Sequence, residues 1–251
     1  MSIIACFVIT LIAVLCGQCA KHMEKKLVPL CLEEINYKEF FGSIKNNFRF
    51  ELKYTIILAV LYNLLYCLNG NVPSTYFYIV LLPILLIIFS IDYKIQLIPD
   101  EVHIYITILA IINIVFNINQ LLNYVIGALV GGGIFLLIAY GSYLILKKEG
   151  MGFGDVKLMT SLGLLFGVKT ILVITLLAFL IGAIVGIVLL LLKRKNKESY
   201  IPFGPFIVIA TIIIMFIPID YIIEIYISFC SMLGNKLTDI IYYIIEKQIV
   251  K

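Results

Sequence analysis

The sequence predicts an all-α polytopic membrane protein of about eight transmembrane helices with an interfacial C-terminal helix. Three observations lead there. The 251 residues are 63% hydrophobic and 14% charged, with a mean hydropathy of +1.11, too apolar to clothe a soluble fold in polar surface. Apolar runs long enough to cross a bilayer recur along the chain, parted by short polar breaks. No alternation of the barrel type is present, so lipid, which cannot hydrogen-bond a bare backbone, leaves the helix as the spanning element.

The first run, MSIIACFVITLIAVLCGQCA, lacks the basic start and the A-x-A-like site of a cleaved signal and is expected to stay as a span over about 2–19. Further spans are expected at roughly 52–68, 75–91, 102–118, 122–146, a short 156–168 that opens beside Asp155, 170–192 and 203–219. After Asp220 the chain is apolar again, and part of 220–234 is a candidate ninth span. Beyond it Leu237, Ile240, Ile241, Ile244 and Ile245 recur at helical spacing, as in a helix lying in the interface. This divides the chain into 1–50 (first span and a short cytoplasmic loop), 51–219 (the membrane-embedded domain) and 220–251 (the tail).

Charge sets the orientation, because Lys and Arg resist export. Alternate loops hold seven Lys and Arg from Lys21 to Lys53, then Lys94, then Lys147, Lys148 and Lys157, then Lys193, Arg194, Lys195 and Lys197. The opposite loops, NGNVPST, NINQ and GVK, carry Lys169 alone. Eight spans with an outside N-terminus fit this pattern and imply a multi-pass plasma-membrane protein whose partner is the lipid bilayer, with no nucleic acid. The oligomeric state stays open. The six cysteines lie mostly in or beside apolar runs, where a thiol behaves as a small hydrophobe, and form no disulfide framework. Cys16, Cys19, His22 and Cys31 contain one close pair only, so no metal site is expected. The GALVGGG run and Gly182 with Gly186 read as helix-packing faces.

Chemistry concentrates in two stretches. In KKEGMGFGDVKLM, Asp155 opens the sixth span. In IDYKIQLIPDEV, Asp92 ends the third. Two spans lie between them, so both acids fall on one side of the membrane. Carboxylates held close share a proton, and such a pair can activate water while polarising a carbonyl, the logic of aspartic peptide hydrolysis. Gly152 and Gly154 would let the chain turn tightly and let backbone approach a substrate. Lys157 would favour the ionised form of its neighbouring acid or snorkel to the headgroups. The structural alternatives are Asp155 as a helix cap, Asp92 paired with Lys94, and Asp100, after Pro99 and before Glu101, as an N-cap.

These segments resemble the type IV prepilin peptidases, membrane aspartic proteases. GMGFGDVKL is similar to their GxGD region, and DYKIQLIPDEV to their first aspartate segment, an Asp followed by an apolar-Pro-Asp close that places Pro99 and Asp100 in the motif. IPFGPF, Ile201 to Phe206, resembles the segment opening their last helix, and the three together cover roughly Leu52 to Pro218 in family order. The resemblance implies that Asp92 and Asp155 are catalytic and that the substrate is a prepilin or pseudopilin. The cut would fall at the cytoplasmic face, between a basic leader and a hydrophobic helix. Bacterial members usually carry a Gly-Ser-Phe-Leu-Asn-like segment and a cytoplasmic loop with two CxxC pairs, and the bifunctional ones methylate the new N-terminus with S-adenosylmethionine. Here the stretch from Cys16 to Tyr54 is short and holds one CxxC, so neither zinc nor S-adenosylmethionine is expected. Of the other classes, a transporter would use the same aspartates to bind a cation or relay protons. The absence of an inverted repeat and the placement of both acids near the cytoplasmic edge argue for the protease.

Overall fold

The computed structural model describes residues 52–70, 72–147, 151–192 and 202–249, with scattered residues between Thr10 and Glu24. Among them every regular element is helical: α1 (Leu52–Asn69), α2 (Pro73–Ile95), α3 (Asp100–Phe116), a 3-10 turn (Ile118–Gln120), α4 (Leu121–Leu146), α5 (Phe153–Phe166), α6 (Val168–Leu191), α7 (Gly204–Phe216) and α8 (Ile219–Ile249). The described residues of the first run are helical as well and continue to Glu24, past the expected end at 19. The stretch 25–51, with Cys31 and most of the loop's basic residues, lies outside the described residues, as do Cys19, His22, Lys148–Gly150 and 193–201.

The boundaries follow local chemistry. Pro73, whose missing N–H is no loss in a first turn, opens α2, and Gln96 closes it in the left-handed conformation at φ 57°. Pro99 stands before α3. Gly167, at φ 81°, lets the chain pass from α5 to α6 with one residue between them, a conformation costly for other residues.

Ser74–Ile95, Ile118–Ile145 and Val168–Leu191 are long and apolar enough to cross a membrane on their own. The span expected to be short at 156–168 is a helix of 14 residues, and the one expected at 203–219 is a helix of only 13, about 20 Å each at 1.5 Å per residue. Their shortness has a packing reason: eight residues of α5 and nine of α7 are buried, so they are sheathed by neighbours and need not meet lipid along a full span. The long helices α4 and α6 instead expose Leu, Ile and Val over much of their surface, as a lipid-facing wall does.

α4 and α5 run antiparallel in very close contact. A Cβ at Gly127 would stand 2.5 Å from the Gly163 carbonyl, one at Gly131 2.6 Å from that of Met159, and one at Gly132 would meet Thr160 Oγ1. The glycine run is thus a packing face except at Gly133, which meets nothing, and on α6 Gly182 receives the rings of Phe203 and Phe206 whereas Gly186 meets nothing. At one end of the bundle, amides take up carbonyls that helix termini leave free: Asn113 Nδ2 donates to Leu165 O (3.1 Å) and Asn69 Nδ2 to Met215 O (3.1 Å). Asn123 Oδ1 accepts from the Val168 N–H at 3.2 Å.

Residues from Ile217 on form a separate compact unit, essentially α8. The sequence suggested two parts joined near 234. The unit is instead one uninterrupted helix of 31 residues, so the interfacial portion continues the preceding apolar one.

Candidate active site

Asp92 lies in the last turn of α2 and Asp155 in the first turn of α5, at the end of the bundle opposite the asparagine ties. Both are buried, with relative exposures of 5% and 4%, and Asp155 lies within electrostatic reach of Asp92. Asp155 reaches this depth because α5 is inside the bundle, and its place in the first turn sets the carboxylate near the positive end of the helix. Oδ2 of Asp92 is buried and completes no well-aligned hydrogen bond among the described residues, although the Gly204 backbone approaches this carboxylate. A buried acceptor within electrostatic reach of a second buried acid is suited to receiving a water or substrate group.

The other predicted residues take more specific places. Gly152 stands before α5 at φ −69° and ψ 142°, an extended conformation open to any residue, so it makes no glycine-only turn. Gly154 does mark a close approach, but of the chain's own Ile98: a Cβ at 154 would lie 3.2 Å from that of Ile98. Lys157 is directed to Asp100, donating to its Oδ1 at 2.7 Å, and lies 5.5 Å from the centre of the Phe153 ring. This hydrogen bond and its charge hold the exposed Asp100 carboxyl below the usual carboxylate range. Asp100 is the first helical residue of α3, one place beyond the cap position, which Pro99 fills without a side-chain bond. Pro99 is buried, and its carbonyl accepts from Val102 N–H at 3.2 Å. Lys94 pairs with buried Glu24 at 2.5 Å, and Ser90 Oγ joins them at 2.7 Å, so Lys94 is engaged by the first helix and not by Asp92.

Two residues escaped the sequence reading. A Cβ at Gly204 would fall 2.6 Å from Oδ2 of Asp92, so the start of α7 presses its bare backbone on that carboxylate. Its position is fixed by a nest of rings, with Phe203 5.1 Å from Phe179, 5.8 Å from Phe135 and 5.8 Å from Phe206 between centroids. The IPFGPF segment stands out in the sequence by its likeness, but only the contact reveals what the glycine does. His103, buried one turn beyond Asp100, has neither ring nitrogen hydrogen-bonded among the described residues. An ionisable residue inside an apolar run was the signal available for it.

The α4–α5 register, Gly127 beside Gly163 and Gly131 beside Met159, carries on to set Asp155 near the level of Phe135. α4 then continues for about 16 Å to Leu146 at 1.5 Å per residue. The pair is therefore recessed below the end of that helix and not level with it.

Residues 79–187, which include Asp92 and Asp155, match the model of the type IV leader peptidase family. Among curated relatives, the prepilin leader peptidase/N-methyltransferase of Aeromonas salmonicida is 42% identical over 86 residues, 34% of this chain and 30% of that protein. The protein of the same name from Pseudomonas putida is 34% identical over 136 residues (53% and 47%). That from Escherichia coli K12 is 33% identical over 124 residues (49% and 55%). The chain thus spans about a third to a half of the length of the relatives it matches. No solved structure matches it. The segment that carries both aspartates is thus similar to the type IV leader peptidase family and to proteins named prepilin leader peptidase/N-methyltransferase.

Proposed function

We propose that the protein is an aspartic endopeptidase that removes the basic leader of a prepilin or pseudopilin at the cytoplasmic side of the plasma membrane. The observation that carries this reading is the convergence of two buried carboxylates from different helices, Asp92 and Asp155, within electrostatic reach of one another. The names of the relatives supply the substrate class.

In this mechanism the pair holds one proton, since two buried like charges are costly. The ionised carboxylate takes a proton from water, the hydroxide adds to the scissile carbonyl carbon, and the neutral carboxyl gives its proton to the carbonyl oxygen. The C–N bond then breaks as the newly protonated acid delivers its proton to the leaving nitrogen. The other carboxylate recovers a proton from the diol, leaving a carboxylic acid, an amine and the starting dyad. Asp100 and Lys157 neutralise one another at the exposed rim, next to the Pro99 turn that leads into α3.

The relatives' names couple cleavage to N-methyl transfer. Our reading is cleavage without robust methylation, because the stretch after the first span is short and holds one CxxC, whereas a cofactor needs a pocket of several convergent polar groups. Purified full-length protein in detergent, incubated with a prepilin-like peptide bearing a basic leader and with labelled S-adenosylmethionine, tests both parts by mass spectrometry. A single cut with no label on the new N-terminus is predicted. An uncut peptide contradicts the protease reading, and a heavily labelled product contradicts the exclusion of methyl transfer.

A further inference from the structure

We propose that Ile98 is a positioning residue that seats the Asp155 end of α5 against the Asp92 end of α2, and that position 154 is glycine in order to receive it. The inference rests on the dyad reading above. The three atoms nearest to a Cβ at 154 all belong to Ile98: Cβ at 3.2 Å, Cγ1 at 3.5 Å and Cδ1 at 3.7 Å. The same Cδ1 lies 3.2 Å from the Cβ position of Gly204, whose backbone rests on the Asp92 carboxylate. One side chain therefore touches the immediate neighbour of one acid and the glycine that presses on the other.

The segment carrying Ile98 is well defined at both ends. Gln96, in the left-handed conformation, bonds its N–H to Asp92 O at 2.9 Å, and Pro99, with its fixed φ, leads into α3. Branching at Cβ further restricts Ile98 to few rotamers. A wedge held in this way sets how far apart the two acid-bearing helix ends stand. Small displacements of reacting groups are costly to rate, so the residue acts through the aspartates without touching the reacting atoms itself.

The test is a rescue by exchange of size, using full-length protein and the same basic-leader peptide. Gly154→Ala should lower kcat about tenfold with KM changed less than about twofold, the signature of a lost transition-state geometry. Ile98→Ala alone should lower kcat only about threefold, and adding it to Gly154→Ala should raise kcat from about a tenth to about that level. Gly204→Ala, whose Cβ meets Asp92 itself, should not recover with the same change. Full activity of Gly154→Ala, no recovery in the double variant, or equal recovery of Gly204→Ala would each overturn the inference. Should Gly154→Ala not insert, Ile98→Ala alone decides: a fall in kcat at constant KM supports the positioning role, and an unchanged kcat contradicts it. A wild-type chain that leaves the peptide whole defeats the protease reading, whereas an active wild type with a failed rescue defeats this inference alone.

Discussion

At the scale of single residues, Asp100 and Lys157 separate the motif from the chemistry. Both lie within the family-like segments, yet they bind one another at the exposed rim, which favours a structural role for the pair. Asp100→Asn should therefore keep at least about half of wild-type kcat/KM, since the amide still accepts from Lys157 and exposed ion pairs contribute little. A loss of several orders of magnitude would move Asp100 into the catalytic role. The rate of the wild type should fall at both pH extremes. Acid protonates both carboxyls and removes the base, while alkali ionises both and removes the acid, so the two limbs belong to the pair and not to either member. The aspartates themselves were legible in the sequence, because an acid at the edge of an apolar run is costly without a task and the span count placed both on one side. What was not legible was contact across distant positions: the Ile98 seat behind Gly154, the pressure of Gly204 on Asp92, and the Glu24 partner of Lys94.

At the scale of elements, the helices came largely where hydropathy placed them, with α2, α4 and α6 close to their expected bounds. Length was the harder quantity. Hydropathy reports that a segment avoids water but not whether lipid or protein covers it, so the buried α7 reads as an ordinary span, whereas the shortness of α5 is visible in the sequence. The glycine face of α4 makes a direct prediction. Gly163→Ala places a methyl against the Gly127 backbone, with no flexible side chain to yield, and should destabilise the protein by about 1–3 kcal/mol. Gly133→Ala, which meets nothing, should leave stability unchanged or slightly raised through better helix propensity. Thermal unfolding in detergent measures both. Equal melting temperatures for the two variants would contradict the packing described for α4 and α5.

At the scale of the whole molecule, charge predicts an orientation and composition a number of crossings, and both await a topological test. The basic loops imply that 92–101, 147–154 and 193–199 face the cytoplasm, so single cysteines at Ser74 and Asn119, in a background without native thiols, should react with an impermeant reagent from outside. Ser199→Cys should not, and its labelling from outside would overturn the eight-span arrangement. The recessed dyad adds a constraint that sequence did not offer, because its depth follows from the α4–α5 register and not from apolar run lengths. The proposed hydrolysis would need water at that level, and the exposed Asp100–Lys157 pair forms a polar rim above it. The central claim is that Asp92 and Asp155 together hydrolyse a leader peptide, and mass spectrometry of a basic-leader prepilin peptide incubated with wild type, Asp92→Asn and Asp155→Asn tests it most directly. The amide keeps each side chain's shape but cannot take or share the proton, so a cut product is predicted with wild type and none with either variant, each correctly inserted. Cleavage at the wild-type rate by either variant, free of contaminating wild type, would contradict the account.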